Sequence, residues 1–226
     1  MRIGQMLGSG RSADVYELDE QWVLRRYRDG LDATRELPVM SYLSASGYPV
    51  PRIGPQPPSA GPGDLVLQRL TGPTMLESLL SGDIDSVEGS AVLARLLAEL
   101  HTVPARLSPD PEDRILHLDL HPDNVMLTAD GPVVIDWSNT EEGPPALDRA
   151  MSALILAQVA VDPAGPAADG GRELLTALMP RLMAEGGIPD RQLADVAARR
   201  AANPTMSPAE RGLIGEAVAL VTALSR

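Results

Sequence analysis

The side chains best suited by type and spacing to do chemistry lie between Ile115 and Ser138. His117, Asp119 and Asn124 follow the pattern H-x-D-x-x-x-x-N, and Asp136 comes a short way behind them. Mg²⁺ is a hard cation that takes oxygen donors, one or two from the protein with substrate phosphates filling the rest of its shell. A further carboxylate is needed to orient an attacking hydroxyl and accept its proton. Asn124 and Asp136 can serve the first need and Asp119 the second, which is the layout phosphoryl transfer requires. Taken singly, an Asp or Asn at a loop end is an ordinary solvated turn former. The full spacing gains its meaning from the elements predicted around it.

Those elements are short. Val125-Met126-Leu127 and Val133-Val134-Ile135 read as two strands joined by a tight turn at Ala129-Asp130-Gly131. The hairpin sets Asn124 at the start of one strand and Asp136 at the end of the other, with Asp119 on the loop before them. His117 and His121 flank Asp119 and read as braces for the loop. The H-x-D-x-H arrangement has no suitable third ligand nearby, which argues against zinc.

On these residues the stretch resembles the catalytic and metal-binding loops of the kinase-like aminoglycoside and choline phosphotransferase superfamily, and more distantly those of protein kinases. The resemblance implies an α+β chain with a two-lobed protein-kinase-like fold. A small β-rich N-lobe would span residues 1–70 and a mainly helical C-lobe residues 71–226. The reaction implied is transfer of the ATP γ-phosphate to a hydroxyl of a small molecule, with ATP and Mg²⁺ as cofactors. Asp119 would be the base, and Asn124 and Asp136 the metal ligands.

Upstream, Leu7 to Leu18 carries apolar residues on both sides of Gly8-Ser9-Gly10, and Trp22 to Tyr27 follows as another strand. Small residues at 8, 9 and 10 let backbone N–H groups approach phosphate oxygens. The spacing is similar to the kinase glycine-rich loop, with Ala13 where a third Gly would stand; an ordinary hairpin turn is the other reading. Period two places Val23 and Arg25 on one strand face and Leu24 and Arg26 on the other. Arg25 aligns with the kinase phosphate-binding Lys. The chain has no Lys at all, so Arg25 reads as a compositional replacement that can hold phosphate through its fork. A surface-strand Arg pair is the alternative.

Thr34 to Ser46 reads as a helix with Pro38 in its first turn and Gly47 closing it. Glu36 near its start is the family's counterpart partner for Arg25, or else a first-turn acid favoured by the helix dipole. Leu65 to Leu70 reads as a buried strand running into the hinge Thr71-Gly72-Pro73, where backbone around Gln68 to Leu70 would meet the adenine. Val92 to Leu100 marks an amphipathic helix that His101 closes, and another helix begins near Pro145. On that helix Asp148 matches a family Asp that buttresses the catalytic loop; a solvated helix residue is the other reading. Three or four further helices follow.

The remaining composition excludes several classes. A formal charge of −12 over 226 residues argues against a nucleic-acid partner. With no Cys there is neither a disulfide framework nor a thiolate nucleophile. The first residues lack the apolar stretch of a signal peptide, and the longest apolar run, Ala153 to Val161, is too short to span a bilayer. These features lead to the expectation of a cytoplasmic protein with no membrane partner. Trp137 in place of the Phe of D-F-G, Leu118 in place of the Arg of H-R-D and the lack of an A-P-E segment argue for a small-molecule acceptor over a protein. Glu141, Glu142 and Asp113 could receive an amine on it. The tail is somewhat short for the family, so the acceptor pocket is expected to be shallow or partner-completed. The rival reading is a nucleotide-binding pseudokinase or scaffold without turnover.

Overall fold

The structure, a computed structural model, describes residues 3–28, 32–58 and 60–226, with nothing assigned to the Thr34 side chain. The chain begins with three strands, β1 (Met6–Ser9), β2 (Ala13–Glu17) and β3 (Trp22–Tyr27). A 3₁₀ turn, Ala33–Arg35, leads into helix α1 (Glu36–Ala45), and strand β4 covers Asp64–Gln68. Helices α2 (Met75–Ser81) and α3 (Ser86–Leu100) come next, then β5 (Arg114–Leu116). A 3₁₀ turn, Pro122–Asn124, opens the hairpin of β6 (Val125–Thr128) and β7 (Gly131–Val134). After β8 (Glu141–Gly143) the chain is helical: α4 (Pro145–Val161), α5 (Ala168–Ala184), α6 (Asp190–Ala202), α7 (Pro208–Gly212) and α8 (Ile214–Leu224).

These elements form two compact units. The first holds the chain up to Gly72 together with Met126–Thr140; the second holds Pro73–Val125 and Glu141–Arg226. A single break near residue 70 would assign residues 126–140 to the second part, whereas they cluster with the first.

The first unit is built on an antiparallel sheet of order β1-β2-β3-β4. Arg25 on β3 sits opposite Val15 on β2 and Leu65 on β4. Leu24, Val39, Met40, Leu43, Leu65 and Val66 are buried and supply the core. Pro38 falls within the first turn of α1, where a missing N–H breaks no helical bond. The helix ends at Ala45 with Ser46 as its cap, and Gly47 follows with a φ of +81°, in the left-handed region a side chain resists. The β6–β7 hairpin is tied into this unit by the Val134 N–H, which donates to the Pro49 carbonyl at 2.9 Å. Trp137 is buried and meets Tyr48 edge to face, with centroids 5.7 Å apart.

The second unit is helical around α4, which packs against α5, α6 and α8 and is buried at nearly every position from Leu147 to Gln158. Helices α2 and α3 start on capping boxes, Thr74 with Glu77 and Asp85 with Glu88, which satisfy the orphan N–H groups of the first turn. Strands β5 and β8 pair antiparallel, with Ile115 opposite Glu142. No helix among the described residues is long and apolar enough to cross a membrane.

Candidate active site

In the first unit the chemistry gathers on Arg25. Strand β3 alternates, so Arg25 and Tyr27 share a face while Arg26 points the other way, where Asp64 grips it through two hydrogen bonds of 2.7 and 2.9 Å. Arg25 is only 8% exposed, which rules out the surface-strand reading. Its Nη1 donates to Glu36 Oε2 at 3.0 Å and its Nη2 to Asp136 Oδ1 at 2.5 Å. Glu36 is buried at the first position of α1, and its other oxygen, Oε1, accepts from the Tyr27 hydroxyl. The Trp137 backbone N–H is a further donor to this carboxylate.

Burial sets the electrostatics of the group. Burial works against the Arg25 charge, but Asp136 and Glu36 outweigh it and hold the guanidinium more firmly protonated than usual. Burial pushes the Glu36 carboxyl up, with Arg25 and the Tyr27 hydroxyl pulling it back only in part. Burial likewise keeps the Tyr27 phenol protonated, as a donor must be.

Asp136 lies just past β7 with a φ of +63°, a left-handed conformation uncommon for a residue with a side chain. Its Oδ1 also accepts from the Ser138 hydroxyl at 2.7 Å. In this conformation and with these partners, the end of β7 presents a carboxylate to Arg25.

At the sheet's open edge, Gly10 N–H donates to Ala13 O at 2.9 Å and closes the β1–β2 turn. Among the described residues, a side chain at Gly8 would meet nothing within 4 Å, and one at Gly10 only the Ala13 oxygen at 3.6 Å. Packing within the chain therefore does not demand either glycine. Ser9 is engaged: its hydroxyl donates to Asp14 Oδ1 at 2.7 Å, and Arg28 Nη2 reaches the Ser9 hydroxyl, the Gly10 carbonyl and Asp14. Spacing alone does not mark Arg28 or Asp14 for a part in this loop. Gln68 ends β4, where its N–H donates to the Arg52 carbonyl and its side-chain oxygen accepts from Arg52; Arg69 N–H donates to the Gln21 carbonyl. Leu70 follows, half-buried.

In the second unit, β5 leads into a turn at Leu118, whose φ of +57° is rare for a branched side chain. The turn is held from outside the loop. Asp148 on α4, fully buried, accepts the His117 N–H at 2.9 Å and the Leu118 N–H at 2.7 Å through separate oxygens. His101 Nε2 lies 3.2 Å from the same carboxylate. Burial would raise the Asp148 carboxyl, yet His101 and these N–H donors hold it below the ordinary range. The solvated-helix reading of Asp148 is thereby overturned, and His101 proves to be its partner as well as the cap of α3.

The turn leaves Asp119 partly exposed, its N–H donating to His117 Nδ1 at 3.2 Å. Asn124 turns its amide back to the Asp119 carbonyl at 2.9 Å, which points its side-chain oxygen away from that bond. His121, 3.9 Å from the Asp119 carboxylate, is held toward its neutral form by burial, which outweighs the pull of Asp119.

The acids proposed to receive an amine are otherwise employed. Glu142 accepts the backbone N–H groups of Arg106, Leu107 and Ser108 at 2.9, 2.7 and 2.7 Å. Asp113 accepts from the Ser108 hydroxyl at 2.6 Å, and Glu141 pairs with Arg199 at 2.7 Å. These three carboxylates shape the loop after α3 and the β8 edge.

The fold is shared with solved structures at low sequence identity. An aminoglycoside-3'-phosphotransferase of type VIII aligns with a TM-score of 0.60 at 16% identity over 94% of this chain and 91% of that one. The GDP and kanamycin complex of APH(2")-IIia gives 0.60 at 14% identity, covering 99% and 94%. A choline/ethanolamine kinase family protein from Mesorhizobium loti gives 0.57 at 15%, covering 99% and 88%. The fold class is thus α+β and protein-kinase-like, with a sheet-rich N-terminal part. No curated protein sequence matches significantly. The sequence profile of the phosphotransferase enzyme family APH matches residues 4–111 and 76–184. With most of its length covered by that profile, the chain belongs to this phosphotransferase enzyme family.

Proposed function

We propose that the protein is an ATP-dependent small-molecule kinase, acting in the cytoplasm, which moves the γ-phosphate of ATP to an alcohol hydroxyl. The observation that supports this reading is Arg25, buried on β3 and held by Glu36 and Asp136, a guanidinium of the kind that can anchor phosphate. Asp119 takes the acceptor's hydroxyl proton as its oxygen bonds to the γ-phosphorus; the bond to the bridging β–γ oxygen breaks and ADP leaves. The Leu118 turn, fixed by Asp148, positions that carboxylate.

Asp136 in the first unit and Asn124 in the second each offer a hard oxygen of the kind Mg²⁺ takes. A bound Mg²⁺ would supply charge neutralisation on the phosphate oxygens. With a nucleotide bound, Arg25 would exchange its Asp136 contact for phosphate while keeping Glu36. The backbone of Gly8 to Gly10 covers the phosphates, and the open space at the two glycines supports that use, although the Gly10 N–H is already donated to Ala13. Because the Gln68 and Arg69 N–H groups are already donated, the adenine falls to the rest of that segment, Leu70 foremost.

One observation favours a second reading, a nucleotide-binding protein without turnover: a cation already lies against the metal-ligand candidate Asp136. The deciding experiment measures Mg·ATP turnover over a panel of amino-sugars, amino-alcohols and simple sugars for the native chain and Asp119→Asn. Acceptor-dependent turnover that falls about 10²–10⁴-fold in the variant is expected, the span of a lost general base. Mg·ATP binding without turnover on any acceptor points to the second reading, and no nucleotide binding at all removes both.

A further inference from the structure

An arginine is an exacting substitute for lysine as a phosphate anchor. A lysine brings a compact charge with rotatable donors, which tolerates a range of approach angles. A guanidinium is a flat fork whose plane must be set as well as its position. Something in the first unit has to set that plane, and the geometry offers one residue that touches the problem twice.

Tyr27 lies two residues after Arg25 on β3, on the same strand face, and is buried. Its ring carries the Arg25 guanidinium carbon 4.7 Å from the centroid, within cation–π distance. Its hydroxyl donates to Glu36 Oε1, which leaves Oε2 turned to Arg25 Nη1 at 3.0 Å. One side chain thus lies with its ring against the guanidinium carbon and bonds the carboxylate that grips the guanidinium's nitrogen. When Nη2 leaves Asp136 for phosphate, these two contacts remain to hold the fork.

We infer that Tyr27 is the positioning residue that fits an arginine to the phosphate-anchor role in this chain, through its ring against Arg25 and its hydroxyl on Glu36. The inference rests on the phosphotransferase reading above. Its signature is dependence on the identity of residue 25. Tyr27 should matter while an arginine stands there and cease to matter when a lysine replaces it.

The test is calorimetric binding of Mg²⁺ with a non-hydrolysable ATP analogue to the native chain, Tyr27→Leu, Tyr27→Phe, Arg25→Lys and the two double variants. On the native background Tyr27→Leu should weaken binding about tenfold, as loss of a desolvated cation–π contact allows. Tyr27→Phe, which keeps the ring and the packing, should weaken it about threefold, the loss of one hydrogen-bond contribution. On the Arg25→Lys background both changes should leave affinity within about twofold. Equal losses on the two backgrounds, or native affinity in both Tyr27 variants, would overturn the inference and leave Tyr27 a packing residue. Failure of the native chain to bind the analogue would overturn the proposed function along with it, so the two failures are distinguishable.

Discussion

Asp148 accepts two successive backbone N–H groups and pairs with His101 while fully buried, so replacing it orphans several donors at once. Asp148→Asn keeps the shape but turns an amide NH₂ toward a backbone N–H. Hydrogen bonds to a buried charge are among the stronger ones, and the expected destabilisation is about 2–4 kcal/mol, read as a lowered midpoint in urea. The sign with pH follows from the depressed carboxyl. Its contribution is present above the ordinary Asp value of about 3.9 and is lost as pH falls through the lower folded value. The native chain should therefore lose stability steeply below about pH 4, and Asp148→Asn should flatten that part of the profile. The sequence marked Asp119, Asn124 and Asp136 through their spacing, and Asp148 through resemblance alone. Tyr27 was not legible, because strand alternation says only that two residues share a face. Whether a ring then lies under a guanidinium depends on where Glu36 arrives from α1.

Strands and helices were easier to read than their grouping. Gly turns and apolar runs mark β3 at its observed bounds and place β4 and the β6–β7 hairpin to within about two residues, since period two and turn chemistry are local properties. That residues 126–140 cluster with the first unit is a long-range fact, carried by contacts such as Val134 to Pro49 and Trp137 to Tyr48. No local pattern encodes those. Gly72 shows the same limit: it read as part of a hinge, yet a side chain there would sit 2.0 Å from the Leu127 carbonyl oxygen, with φ at +132°. Neither clash nor conformation can be relieved by a flexible neighbour, because the obstacle is backbone. Gly72→Ala should cost more than about 3 kcal/mol or abolish soluble expression, whereas Gly82→Ala, with open space but φ of +79°, should cost about 1–2 kcal/mol. Thermal melts of the two variants side by side check the ordering.

At the scale of the whole chain, charge and connectivity have separate consequences. The formal charge of −12 at pH 7 and a pI near 4.6 predict a solubility minimum close to that pI, where like-charge repulsion between molecules vanishes. A turbidity series across pH checks this; a clear solution at that pH would contradict it. Connectivity acts earlier, on the ribosome. The first unit needs Met126–Thr140, and the whole stretch Pro73–Val125 of the second is synthesised before those residues emerge. Chains elongate at about 5–20 residues per second, so the first unit waits several seconds for its hairpin. During that wait Tyr48 lacks its Trp137 neighbour, Arg25 lacks Asp136, and the Pro49 carbonyl lacks the Val134 N–H. A nascent chain stalled before residue 140 should thus be a client for chaperones, with a complete four-stranded sheet but a first unit that no amount of extra time can finish.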